Sequence, residues 1–211
     1  MERIMGLVRQ KTAQLEECEK PHLEGDRDAL WAALEHSDAS GRRQAAREIA
    51  HFPDCAARLV SRLQREQDDA VREVILGALV RMNDPIALSG LVDCLRSEDA
   101  ALRNEVIERF AQMGREVDPT LQSLFKDPDP DLRIFAVNIL ASSRHPDVES
   151  WLIEVIEQDT HLNVCAAAAD LLCEAGTEAA IDALVRLKAR FASEAYIQFA
   201  ADLALKRIHE I

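Results

Sequence analysis

The chain has 211 residues, 48% apolar and 30% charged, which suits one domain or one short array and excludes a disordered tail or a secreted mini-protein. Aromatics are only 4%, with seven glycines and seven prolines, a helical bias with few strand formers. The formal charge of −13 has the wrong sign for a nucleic-acid footprint and puts that class of function last.

Residues 1–25 stand apart. Ile4, Leu7, Val8, Lys11, Leu15 and Cys18 trace one helical stripe, and Pro21 and Gly25 follow as breakers. The pattern predicts a capping helix over 2–19 and a linker, with a partner-binding arm as the other reading. No run here is apolar enough for a signal-peptide core, and no window approaches the ~20 apolar residues of a membrane span. The cysteines, Cys18, Cys55, Cys94, Cys165 and Cys173, are odd in number and form no Cys-x-x-Cys. This argues against a disulfide framework and a structural zinc site, and a cytoplasmic location is expected.

Residues 26–211 read as an array of helices. Asp38 leads Arg42, Ala45, Ile49 and Phe52; Leu59, Val60 and Leu63 follow. Asp68 leads Val71, Arg72, Ile75, Ala78, Leu79 and Met82, then come Leu88, Leu91, Val92 and Leu95. Asp99 leads Leu102, Arg103, Val106 and Phe110, then Leu121, Leu124 and Phe125. Asp129 leads Leu132, Arg133, Ala136, Ile139 and Leu140, then Leu152, Val155 and Ile156. A fifth copy, Val164, Cys165, Ala168, Leu171, Leu172 and Ala175, puts Cys165 where arginine is expected. Its Asp159 lies six residues ahead instead of four, which predicts a turn two residues longer. Ile181, Leu184 and Val185 precede a weaker sixth copy, Ile197, Gln198, Ala201, Ala204, Leu205 and Ile208.

The spacing is that of amphipathic helices, and the copies recur about every 31 residues. Pro53, Pro85, Pro119 and Pro146 fall near the start of each first helix, where a missing N–H is tolerated. Asp68, Asp99 and Asp129 are expected N-caps of the second helices, and Gly114 and Gly176 expected C-caps. No hairpin can bury its apolar face alone, so neighbours must stack into one continuous core.

The frame Asp-x-x-x-Arg-x-x-Ala-x-x-Ala-Leu resembles the short HEAT-like repeat of the phycobilisome-lyase type. The resemblance covers about residues 26–208. It implies an all-α, right-handed solenoid of about six helical hairpins with an N-terminal capping helix. It also implies that Asp38/Arg42, Asp68/Arg72, Asp99/Arg103 and Asp129/Arg133 form a structural ladder along the stack. An anion-binding stripe of the four arginines is the alternative. In a stack of this kind the second helices line the concave side. Counting outward positions +1, +4, +5 and +8 from the ladder position gives Arg43 and Arg47; Glu73, Leu76 and Val80; Asn104, Ile107 and Glu108; Ile134, Val137 and Asn138; Ala166 and Asp170; and Phe199 and Leu203. Several are apolar and suggest a partner groove; the competing reading shifts the helical phase and makes them core. Trp31 and Trp151 sit on first helices, as half-buried packing or as binding hot spots.

The screen for catalytic chemistry picks out no catalytic, cofactor-binding or metal-binding residue. His22, His36, His51, His145, His161 and His209 form no zinc motif. The only His-Glu pair is His209-Glu210, so the di-iron centre of the similar deoxyhypusine hydroxylases is not assembled. No glycine-rich phosphate loop occurs. Asp127, Asp129 and Asp131 resemble the start of a calcium loop without its later glycine and glutamate and read as a solvated turn. The expected function is therefore non-catalytic: an adaptor, scaffold, assembly or protective factor. The expected partner is another protein or protein complex, with no membrane, nucleic acid or small-molecule substrate. Helpers of nitrogenase-type and phycobilisome systems offer the analogy. Two alternatives are a bilin lyase or chromophore chaperone, which needs an aromatic-lined groove, and a HEAT-like DNA-repair glycosylase, which the charge disfavours.

Overall fold

The structure, a computed structural model, describes residues 23–143 and 145–210. The expected capping helix over 2–19 lies outside these residues. Twelve α-helices occur among the described residues: α1 (Leu23–His36), α2 (Ala39–Ile49), α3 (Ala56–Leu63), α4 (Asp69–Met82), α5 (Pro85–Cys94), α6 (Ala100–Ala111), α7 (Asp118–Leu124), α8 (Pro130–Ser142), α9 (Val148–Gln158), α10 (Leu162–Ala175), α11 (Ile181–Arg190) and α12 (Ala195–His209). They pair as six hairpins, each a first helix and a second helix joined by a short turn. Helix α1 runs through Gly25, so this glycine does not break the chain as the sequence suggests. A glycine costs a helix only about 1 kcal/mol relative to alanine, which tertiary packing readily offsets.

Capping chemistry sets the starts of the second helices. Asp38, Asp68, Asp99 and Asp129 are the N-caps of α2, α4, α6 and α8, and each carboxylate accepts a backbone N–H of the first turn. Asp84 does the same for α5, with Pro85 in its first turn. A left-handed residue, Asn83 (φ 47°), closes α4; Gly114 (φ 60°), an expected C-cap, instead opens a short 3-10 turn, and α6 ends before it at Gln112. Gly176 caps α10 in an extended conformation. There a Cβ would lie 2.4 Å from the Leu172 carbonyl oxygen, so absence of a side chain, not a positive φ, is what the position requires.

The second helices α2, α4, α6, α8, α10 and α12 pack each against the next, forming one layer. First helices lie on its other side, with α3 against α5 and α9 against α11. One apolar core runs from Trp31 and Leu34 to Ile208. This is an α-solenoid, in which each hairpin completes the burial of its neighbour.

That packing overturns part of the expected concave row. Leu76 is only 1% exposed, and Ile107, Val137 and Ala166 are also buried. Position +4 of the frame is Ala46, Leu76, Ile107, Val137 and Ala169 in successive second helices, all buried. In α12, the last of the described helices, the same position is the exposed Asp202, tied to Lys188. The covering neighbour is therefore the next second helix. A helix inside the layer has partners on three sides, which leaves a narrower outward strip than an isolated amphipathic helix offers.

Close approach between first helices explains Gly90. A Cβ there would lie 2.3 Å and 2.7 Å from the two methyl carbons of Val60. Alanine in a helix interior ordinarily stabilises by about 0.5–1 kcal/mol. Here Gly90→Ala must push α5 away from α3, and the expected result is a net loss of about 1–3 kcal/mol in urea unfolding. A gain in stability overturns this account.

Candidate functional site

Two surfaces emerge from the repeat frame: the turn edge, where the arginines lie, and the outward strip of the second-helix layer.

At the turn edge each ladder arginine clamps the turn before its own helix. Arg42 donates to Ser37 O at 2.9 Å, Arg72 to Glu66 O at 2.7 Å, Arg103 to Ser97 O and Arg133 to Asp127 O at 2.8 Å. Each also reaches toward the following repeat, and there the partners vary. Arg42 makes a bidentate pair with Glu66 at 2.7 and 2.8 Å, and Arg133 one with Asp159 at 2.6 and 3.2 Å. Arg72, itself buried, pairs with Asp99 and holds that carboxyl below its usual range. Arg103 finds no carboxylate, because Arg96 already pairs with Asp127 and Asp129; its guanidinium lies over the Phe135 ring instead. The four arginines are thus committed to turns and neighbours, and an open anion stripe is not what this edge presents.

The frame has a sixth-residue rule that the Asp–Arg reading missed. The residue six before the ladder position is Glu66, Ser97, Asp127 and Asp159, and its side chain accepts the N–H two residues on: Asp68, Ser97's neighbour Asp99, Asp129 and His161. Asp159 therefore stands in register with Glu66, not with Asp68, and His161 occupies the cap position without a side-chain cap. The turn between α9 and α10 spans residues 159–161, three residues against five before α4, α6 and α8, which corrects the longer turn expected from the sequence. Where Arg is replaced, the Cys165 thiol bonds to Asp159 O at 3.2 Å, the same clamp in miniature. Arg190 from α11 supplies the missing guanidinium. It donates to Ile156 O and Glu157 O, both at 2.7 Å, and lies 3.3 Å from the Cys165 sulfur. Burial pushes that thiol's pKa up.

Glu66 is the most enclosed charge on this edge, 1% exposed. Burial by itself pushes its pKa up, but hydrogen bonds from Arg42, Arg62 and the N–H groups of Asp68 and Gln67 outweigh it and hold the carboxyl at about 2. The sequence signal for Glu66 is its place two residues before the cap, which only the bonded geometry makes meaningful.

The outward strip consists of frame positions −2, +1 and +5. Of the expected contact residues, Arg47, Glu73, Asn104, Glu108, Asn138, Asp170, Phe199 and Leu203 are exposed and Arg43 and Ile134 half-exposed; Leu76 is not available. Two contacts knit neighbouring helices across the strip: Arg109 to Glu73 at 3.6 Å and the Tyr196 hydroxyl donating to Asp170 at 2.6 Å. The second bond raises the Tyr196 pKa. Position +1 runs Arg43, Glu73, Asn104, Ile134, Ala166 and Phe199 from α2 to α12. It changes from charged to apolar along the array. At its end Tyr196, Phe199 and Leu203 are 56%, 64% and 40% exposed.

A cleft of about 640 Å³ opens between α7 and α9, floored by Phe125, Trp151 and Val155. Phe125 and Trp151 rings lie 5.7 Å apart, and the buried His145 packs edge-on against Trp151. Trp31, by contrast, is buried beneath Arg58. Of the cleft's charged lining, Arg133 pairs with Asp159 within it and Asp127 with Arg96 beyond it, while Lys126 and Glu154 also line it. Among the described residues no group of His, Cys, Asp and Glu is arranged to hold a metal ion, and no helix is long and apolar enough to cross a membrane.

A family model of HEAT repeats matches residues 27–111 and 117–206. Among solved structures the chain is similar to two engineered proteins, each 20% identical, over 88% of this chain and 97% and 99% of theirs, with TM-scores of 0.38 and 0.39. It is also similar to the complex of CpcE and CpcF of phycocyanin lyase from Nostoc sp. PCC7120, at 16% identity and a TM-score of 0.30, over 87% of this chain and 94% of that one. Likenesses of that strength say nothing about activity. Comparison with the curated proteins gives no match.

Proposed function

Because the chain belongs to the HEAT-repeat proteins, we propose that it is a non-catalytic interaction module that binds another protein along the outward strip of its second-helix layer. In this role it acts as an adaptor, scaffold or assembly factor for a larger protein or enzyme complex. The observation that carries this reading is the exposed apolar end of the strip, Tyr196, Phe199 and Leu203. Inner repeats place Asn163, Asp170, Asp131 and Asn138 at matching −2 and +5 positions. Large apolar side chains left in water beside a polar, patterned row are a feature of partner surfaces. An extended solenoid face suits contact with a long or large partner.

The test uses the tagged full chain and the Phe199→Asp plus Leu203→Asp variant for capture from the native organism, followed by mass spectrometry. One stoichiometric protein partner is expected with the wild type, depleted about tenfold or more by the variant, with the helical CD signal and melting unchanged. A partner retained in full by the variant moves the binding face elsewhere. An eluate carrying nucleic acid or a chromophore in place of a protein overturns the reading.

A further inference from the structure

We infer that the ligand of the strip between α8 and α12 is a basic amphipathic helix of the partner protein, with its apolar side seated on the exposed Phe199 and Leu203 and the half-exposed Ile134. This deepens the docking role proposed above and rests on it. Ile134 on α8 and Phe199 on α12 share frame position +1, and the small, buried Ala166 holds that position on α10 between them, so no polar side chain interrupts the line that crosses the layer. Packed helices lie about 8–10 Å apart, so the line from Ile134 to Phe199 spans roughly 20 Å. At 1.5 Å per residue that is a helix of about 13 residues, or nearly four turns. Apolar side chains at i, i+4, i+7 and i+11, about 16 Å from first to last, would cover the line.

The flanks define the charge of the occupant. Beside the apolar line stand Asp131 on α8 and Asp170 and Glu174 on α10, all exposed, with Glu108 next to them on α6. Arg109 pairs with Glu73, Lys188 with Asp202 and Lys206 with Glu210; the exposed Arg207 holds on α12 the frame position that Glu174 holds on α10, one cation beside four carboxylates. Toward α2 and α4 the sign reverses, with Arg43, Arg47 and Arg81 against Glu73. Lysine or arginine along both edges of a docked helix therefore meets carboxylates over α8 and α10, and acidic residues meet them only there at a cost. A second copy of this chain carries −13 and is the worse electrostatic match.

The probe is a 14-residue acetylated and amidated peptide with leucine at helical spacing and lysine elsewhere. Its control keeps the leucines and replaces lysine by glutamate. Calorimetric titration of the full chain at physiological salt should show the lysine peptide binding at least about tenfold tighter. Phe199→Ser plus Leu203→Ser should weaken it about tenfold. Asp131→Lys plus Asp170→Lys should reverse the preference between the two peptides. Glu178→Lys plus Asp182→Lys, an equal charge change at the start of α11 and in the turn before it, should leave it within about twofold, which separates the strip from diffuse attraction to an acidic protein. Equal or tighter binding of the glutamate peptide, equal loss in the α11 variant, or no binding by either peptide overturns the inference. A chain that is dimeric and made monomeric by Phe199→Ser assigns the line to a second copy and overturns it too. If the captured partner is lost by Phe199→Asp plus Leu203→Asp while the lysine peptide fails to bind, the docking reading stands and the basic helix falls.

Discussion

Glu66→Gln should lower the stability of the chain by about 3–5 kcal/mol, the range for breaking a buried ion pair from one side. Glutamine keeps the volume but brings an NH2 group to a place where Arg42 and Arg62 both donate. Those guanidiniums are themselves mostly enclosed, 18% and 12% exposed, so neither recovers full hydration. The same site predicts a pH dependence. With its pKa held at about 2 against an ordinary 4.5, the Glu66 carboxylate contributes stability that is complete above about pH 5. That contribution is lost as the pH falls toward 2, because the unfolded chain takes up the proton first. The shift corresponds to roughly 3 kcal/mol. Urea unfolding of wild type and variant should show the full gap at pH 7 and a closing gap below pH 4. Glu35→Gln is the control. Its pairs with Arg62 and Arg65 are more open to solvent, and its expected cost is under about 1 kcal/mol. A loss below about 1 kcal/mol at Glu66 removes the claim that this acid locks the first two repeats.

Leu76→Ala should cost about 2–5 kcal/mol, and Phe199→Ser should stay within about 0.5 kcal/mol. Both positions read as outward-facing from helical phase alone. Leu76 is 1% exposed beneath the next second helix, whereas Phe199 is 64% exposed on α12, the last of the described helices. The contrast is measured by unfolding the two variants under one condition. Comparable losses at both sites mean that Phe199 packs as core and that the outward strip ends before α12. A negligible loss at Leu76 means that the second helices do not stack as described.

Much of the architecture was legible from residue spacing because its determinants are local. An N-cap aspartate, the proline that follows a turn and a 3.6-residue apolar period each act within one or two turns of chain. Asp38, Asp68, Asp99 and Asp129 therefore announce four helix starts without reference to the rest of the molecule, and their recurrence announces a stack. Three features depend on which neighbour arrives from the adjacent repeat. Position +4 is buried in five second helices and exposed in α12, on which no further second helix packs among the described residues. Glu66 gathers Arg42 from one repeat and Arg62 from its own, a meeting that no local pattern encodes. Arg190 replaces the absent ladder arginine at Cys165 from a helix 25 residues away in sequence, and Asp159 keeps the six-residue spacing that Glu66 has from its ladder position. The sequence by itself determined the hairpins, their number and the starts of four second helices, since these follow from short-range hydrogen bonding and amphipathic period. Only the tertiary structure decided which outward side chains remain in water and which arginine meets which acid, because burial and charge pairing are properties of the contact between repeats.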